Sequence, residues 1–338
     1  MPLFAISATT RESRRQPVKK RLLAGILLGG ILLYFSLKDL DFHAIAEGVQ
    51  HIRYVYVAGA LFILFIMQIL RSYRWGVLLS PIEQVDQISL FSITSVGFML
   101  IVAIPARIGE FARPYLITRK STIKMSSALG SIVLERVFDF LAIILLLPLV
   151  MFFTPLPPWL VKSGILLLLT VAVTLCLFIL LVVKKMPSMD LVHALLKRLP
   201  DRLSMRLEGA VTHFIEGFRA IERPRLFAYI FFLSLLIWLA DVLSIYAMFF
   251  ALGFNLSFMA ALTVMIILIF GLIVPTAPGF VGNWHYFTMI GLLIFGISKT
   301  DAMTFAIVHH ALCITLTVTL GLIFLPSNTL NISKLKDS

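Results

Sequence analysis

The stretch "LFSITSVGFMLIVAIPARIGEFARPYL" occupies residues 90–116, and whether it crosses a membrane or turns back within it decides the fold. Its apolar part runs into Arg107, Glu110 and Arg113, three charges within seven positions. A full crossing would put Arg107, Arg113, Arg119, Lys120 and Lys124 on the outer face. The spans that follow would then carry 184–225, with its nine basic residues, to that face as well. Cytoplasmic loops hold the excess of Lys and Arg. A hairpin over 88–128 that enters from the cytoplasm and returns removes both conflicts.

Composition supports a membrane setting. Of 338 residues 60% are hydrophobic and 14% charged, with a mean hydropathy of +1.00. Soluble domains hold about 45–50% apolar and about 25% charged residues. The net charge of +12 falls mostly in short loops, where it suits anionic lipid heads. No basic nucleic-acid module accompanies it, so no nucleic-acid partner is expected. Cys176 and Cys313 lie in apolar runs without metal-type spacing, which implies no disulfide framework; no metal and no cofactor is expected. Arg11, Arg14, Arg15, Lys19, Lys20 and Arg21 precede the first apolar run, which lacks a convincing cleavage site. It reads as a retained helix with a cytoplasmic start.

Full-length spans are expected at about 22–37, 54–70, 129–153, 159–183, 226–252 and 303–325. The region 257–297 is apolar too, yet "PTAPGFVGNW" at 275–284 breaks it. Its second limb, roughly 284–297, falls short of the ~20 residues a spanning helix needs. Irregular backbone at that depth survives only inside protein or along a watery cavity. The expected fold is therefore an all-α polytopic membrane protein of about six spanning helices and two opposed re-entrant hairpins, or eight to nine transmembrane segments. Residues 1–21 form a basic cytoplasmic N-terminus, and 22–338 form a single membrane domain. Within it, 184–225 repeats apolar positions at helical spacing between basic ones, which suits an amphipathic cytoplasmic segment. Both chain ends fall in the cytoplasm.

Three stretches carry candidate chemistry. Arg107, Glu110 and Arg113 stack along one side of a helix. They form either a self-neutralising cluster or a grip for a phosphate, which guanidinium binds through a planar fork. In "SIVLERVFDFLAI", Glu135, Arg136 and Asp139 reach a similar face, either to neutralise the first cluster or to line a polar cavity with it. In "IVPTAPGFVGNWHYF", a half-helix starting near Gly282 or Asn283 aims its positive end inward as an anion site, with Pro278, Gly279 and His285 beside it. The rival there is a kinked helix pair with a packed histidine. Asp241 is read as one half of a structural charge pair or as a proton relay. His309 and His310, adjacent on one helix, point to different faces, and Arg71 and Arg74 snorkel to the cytoplasmic interface.

Together, "LRSYRWGVLL" (70–79), "RIGEFARPYLI" (107–117), "LERVFDFLA" (134–142) and "PTAPGFVGNWHYF" (275–287) resemble the transmembrane region of the lysylphosphatidylglycerol synthase family, a flippase-like domain of integral membrane proteins. In full synthases this region is fused to a soluble domain that aminoacylates phosphatidylglycerol. The 338 residues hold no such domain, so aminoacyl transfer is not implied. The resemblance implies movement of modified or glycan-linked lipids between leaflets. The family often reads Pro-Gly-Gly-x-Gly with a Glu three residues after the last Gly; here Phe280 replaces the second Gly and His285 the Glu.

The leading expectation is an inner-membrane protein that binds and translocates a phospholipid or a polyprenyl-phosphate-linked lipid. Arg107 and Arg113 would hold the phosphate, Glu110, Glu135 and Asp139 would orient them, and Pro278 to Gly282 would close the far side. An enzyme acting on a lipid-linked substrate is the alternative, with no hydrolase motif to support it. A third reading is an accessory subunit of a glycan or lipid pathway that uses 184–225 as its docking face; a pathway enzyme or a second copy of the chain is the expected protein partner.

Overall fold

The computed structural model describes residues 25–38, 40–104, 109–154, 156–173, 201–273 and 277–328, apart from positions 26, 159, 160, 167 and 171. The basic N-terminus, the first part of 184–225 and Lys334 and Lys336 lie outside the described residues. So do most of the expected 159–183 span, Arg107 and Pro275.

The described residues form helices α1 (Leu27–Leu37), α2 (Phe42–Gln50), α3 (Tyr54–Leu79), α4 (Gln87–Ala103), α5 (Ala112–Lys120) and α6 (Met125–Phe153). After them come α7 (Val161–Thr170), α8 (Asp201–Glu216), α9 (Pro224–Ala251), α10 (Phe258–Ile273), α11 (Asn283–Leu293) and α12 (Lys299–Phe324). Among the described residues there is no strand. The chain is an all-α polytopic membrane protein. Helices α3, α6, α9 and α12, of 26 to 29 residues, are long and apolar enough to cross a membrane. At about 1.5 Å per residue each exceeds the ~30 Å hydrocarbon layer. Helices α4, α10 and α11 have 17, 16 and 11 residues, and so fall short of that thickness.

Contacts gather into two compact units. One comprises the described parts of 62–97, 111–244 and 320–338; the other comprises those of 1–61, 98–110 and 245–319.

In the first unit α3 and α9 run antiparallel, with the hydroxyls of Tyr73 and Tyr229 3.1 Å apart. Leu78, Leu134, Phe138, Phe218 and Ile230 pack into one core. The chain turns back after α4. Glu83, just before α4, accepts hydrogen bonds from the Thr122 backbone N–H (3.0 Å) and its hydroxyl (2.6 Å), just after α5. Entry and exit therefore lie at one level. Deeper in, Gly97 leaves room for the stem of Arg113, whose Cγ a methyl there would overlap. Helix α8 is seated on the start of α6 by a pair of glycines: Gly217 meets the backbone of Ser127 and Ser131, and Gly130 meets the carbonyl of Phe214. Glu216 joins the two helices through Ser127 (3.4 Å). Its carboxyl is held below the usual carboxylate range by the His213 hydrogen bond, and to a lesser degree by Arg219.

In the second unit the end of α4 meets the returning chain where Gly109 lies on the backbone of Leu100 and Ile101. Helices α10 and α11 make a second antiparallel hairpin. Asn283 Nδ2 donates to the Gly271 carbonyl (2.9 Å), Gly271 gives way to the ring of Phe287, and Gly291 lies over Val264. Between these helices Gly279, Phe280 and Gly282 all take positive φ (67°, 57° and 91°). Phe280 is the strained member, since a Cβ disfavours that region. Gly282 also rests on the backbone of Gly29 in α1. The start of α3 meets the end of α9, with Arg53 N–H donating to the Ala251 carbonyl (2.9 Å). Helix α2 packs Ile45 against Met303 and Ala306 of α12.

Close backbone approach at Gly109 leaves no flexible atom to yield. Gly109→Ala is expected to cost about 1–3 kcal/mol, read as a lower midpoint in detergent thermal unfolding. Gly30→Ala, which has open space around it, should leave that midpoint unchanged or slightly raised. Equal midpoints for the two variants would refute the hairpin contact.

Candidate functional site

Two groups of buried polar side chains lie on these apolar helices, one in each unit. The first is built on α6. Glu135 and Asp139 are four apart and so share a face, and both are buried. Helix α5 begins at Ala112, which brings Arg113 onto that face in its first turn. The Arg113 fork meets Glu135 squarely, Nη1 to Oε1 at 3.2 Å and Nη2 to Oε2 at 2.9 Å. Trp75 of α3 lies under the same guanidinium, 4.3 Å from ring centre to Cζ. Its indole N–H is fixed by the Ser131 hydroxyl (3.1 Å).

Arg74 completes the network. Its Nη2 is 3.3 Å from Glu135 Oε1, and its Nη1 donates to Asp139 Oδ1 (2.6 Å) and to Ser234 of α9 (2.7 Å). Arg74 and Arg113 are 2% and 1% exposed. Glu135 thus accepts from two guanidiniums and ties α3, α5 and α6 together. Arg136 stands apart from these: it reaches Asp139 Oδ2 at 3.3 Å, but 43% of its side chain is exposed. Beside the network, half-buried Arg71 and half-buried Asp241 attract one another.

Arg74 does not snorkel to the interface as expected. Helix α3 continues nine residues past the drop in hydropathy at position 70, and this carries Arg74 inward to two carboxylates. Arg113 meets Glu135 across the α5–α6 contact. Glu110 is half-buried at the start of the return, and Arg107 lies outside the described residues.

The second group surrounds the break between α10 and α11. The His310 Nε2–H donates to the Gly279 carbonyl (2.8 Å). The Gly282 N–H points to His285 Nδ1 at 3.5 Å. His285 and His310 meet edge to face at 4.8 Å, and Trp284 stacks on His310 at 4.8 Å and 15°. His309 also reaches Trp284, at 5.7 Å. Asn283 and His285 are buried in the first turn of α11, and Pro278 opens the turn before it. Among the described residues no group of three or more His, Cys, Asp or Glu could hold a metal ion. His309 and His310 were expected to part because adjacent helical residues diverge, yet one indole is broad enough to touch both rings.

The folded-back α4–α5, the interrupted α10–α11 and the buried ionic network define a polytopic integral membrane protein built around broken helices. More particularly, the chain belongs to the family described as the lysylphosphatidylglycerol synthase TM region, whose family model matches residues 22–321. It is similar to a UPF0104 membrane protein of Methanothermobacter thermautotrophicus, 22% identical over 317 residues that cover 89% of this chain and 94% of that protein. A second match to a protein of the same name and organism is 29% identical over 140 residues, 39% of this chain and 42% of the other. No solved structure matches.

Removing one partner of the Arg113–Glu135 pair takes the two-pronged contact from a buried charge; without Arg113, Glu135 is left with the longer 3.3 Å contact to Arg74. Arg113→Gln or Glu135→Gln is expected to cost about 3–5 kcal/mol, measured by denaturing-detergent titration in mixed micelles. Replacing both with Leu should cost less than either single change, because opposite charges are then removed together and the local balance is kept. Additive losses would contradict the pairing.

Proposed function

We propose that this protein binds a phosphate-containing lipid, or a lipid-linked glycan, and moves it between the leaflets of the inner membrane, with both chain ends in the cytoplasm. The observation that carries this reading is the position of Arg136. It lies about 16 Å along α6 from Met125, at ~1.5 Å per residue, and is half-exposed while its neighbours are buried. A guanidinium left half-exposed part-way along a spanning helix is costly unless an anion meets it. The three guanidiniums of the cluster outnumber its two carboxylates, so Asp139 alone does not neutralise the outer face.

Arg74 and Arg113, balanced by Glu135 and Asp139, form a fixed base behind the site, and Arg136, the charge in excess, is the arm that meets the phosphate. A lipid headgroup satisfies this arm while its tails remain in the bilayer. A general acid or base would need a carboxylate available to substrate. Both oxygens of Glu135 accept from Arg113 or Arg74, and those of Asp139 from Arg74 and Arg136. This weighs against the enzymatic reading.

The test uses the full chain in vesicles containing phospholipid with a fluorescent headgroup, where an impermeant quencher reports lipid exposed on the outer leaflet. Wild type should raise the rate of exposure, and Arg136→Gln should lower it about tenfold, the size of one lost charged hydrogen bond of ~1.5 kcal/mol. Native mass spectrometry should show less retained phospholipid for Arg136→Gln and intermediate retention for Arg136→Lys. Equal rates and equal retention in all three proteins would refute the role of Arg136.

A further inference from the structure

The ionic network leaves the histidines of the second unit without an assigned task, and they are placed to hold a strained turn. Gly279 and Gly282, two of the three residues with positive φ in this turn, each have a polar backbone group within reach of a histidine. His310 donates Nε2–H to the Gly279 carbonyl, and His285 Nδ1 faces the Gly282 N–H. A carbonyl only accepts, so His310 carries its proton on Nε2. An N–H only donates, so His285 Nδ1 must be unprotonated to receive it. The two rings are themselves in edge contact.

We propose that His285 and His310 form a site that carries one proton between them, and that its arrival on His285 releases the turn between α10 and α11. For its coupling to lipid movement the proposal rests on the translocator reading above; proton uptake itself does not depend on it. The geometry fixes what each protonation does. A proton added to Nδ1 of His310 gives an imidazolium that still donates Nε2–H to Gly279. A proton added to Nδ1 of His285 removes the acceptor facing Gly282, and the first turn of α11 loses that side-chain cap. Two imidazolium rings in contact repel strongly in weakly polarisable surroundings, so the pair holds one proton. That proton comes from water at one membrane face and returns to water at the other, with no redox or covalent step.

The surrounding elements are consistent with this. Helix α10 carries no titratable side chain. Helix α1 contributes Tyr34, the 245–251 end of α9 contributes Tyr246, and α2 contributes exposed His43 and Glu47. Helix α12 carries His309 and Cys313, and at its start Lys299 and exposed Asp301; the latter accepts from Ser298 (2.6 Å). The histidine pair also lies close to the middle of α12, where a charge carrier is useful to a transported ion and expensive to a merely structural helix.

Trp284 supplies the readout, because an imidazolium stacked on an indole quenches its fluorescence. The full chain in vesicles is titrated from pH 8 to pH 4, and the signal of Trp284→Phe is subtracted. One quenching step with a one-proton slope is expected. It should vanish in His310→Gln, whose side-chain N–H can still donate to Gly279. His285→Asn, which keeps an acceptor for Gly282, should move the midpoint, since the neighbouring ring is gone. No quenching, or a two-proton step, overturns the proton site.

Coupling is then read with the fluorescent phospholipid. A pH gradient across the vesicle should change the rate in wild type about fivefold and leave His285→Asn unchanged. A rate that ignores the gradient in wild type overturns the coupling. Absence of lipid movement in every vesicle overturns the translocator reading and the coupling together, while a single quenching step still supports proton uptake.

Discussion

Glu135 accepting from both Arg113 and Arg74 is the interaction on which the first unit depends. A lone carboxylate on a membrane helix is expensive, and so is a lone guanidinium. Each becomes tolerable only by meeting the other with good geometry, and here Arg113 does so through both terminal nitrogens. The consequence is mechanical. Arg113 comes from the returning limb of a hairpin, Arg74 from a spanning helix and Ser234 from another. The α4–α5 hairpin is short of a membrane's thickness and could not hold its place by hydrophobic length, so it is held by charge. Glycine makes this reach feasible. Without space at Gly97 the Arg113 stem could not lie against α4, and its fork would miss Glu135.

The second unit meets the same constraint with neutral groups. Breaking a helix exposes backbone N–H and C=O groups that have no water to bond. The Gly271 carbonyl is met by Asn283, the Gly279 carbonyl by His310, and the Gly282 N–H by His285. Glycines again set the distances, since Gly282 lies on Gly29 and Gly291 on Val264. One unit therefore stabilises its broken element by pairing full charges, and the other by supplying amide and imidazole groups to the backbone.

What could be read in the sequence follows from which interactions are local. Turning the chain back over 88–128 was legible because it depends on charge bias and helix length, both one-dimensional. So was the break in 257–297, where Pro275, Pro278, Gly279 and Gly282 cluster within eight positions. The spacing of Glu135 and Asp139 announced a shared face. Arg74 was not legible: hydropathy falls at its position, and its carboxylate partners lie more than sixty residues away on α6. The histidine cluster was equally hidden. His285 and His310 are joined by packing between α11 and α12, and nothing in the spacing of residues 309 and 310 shows that a tryptophan 25 residues earlier lies against both rings.

Position 285 shows how one residue type can alter a site without altering its backbone. The resemblance to the synthase family leads one to expect Glu there, three residues past Gly282 at the start of α11. A Glu at that place serves as acceptor for the N-cap backbone N–H, as in a capping box, and its charge would also pair with a protonated His310. His285 meets the same N–H with Nδ1, yet it brings no fixed negative charge to the contact with His310. A Glu–His pair would hold its proton by ion pairing. Two neutral imidazoles in edge contact have no such hold on one, so a proton that enters can leave again. The departure at one position thus preserves the cap while leaving no fixed negative charge beside His310, as the proposed proton site requires.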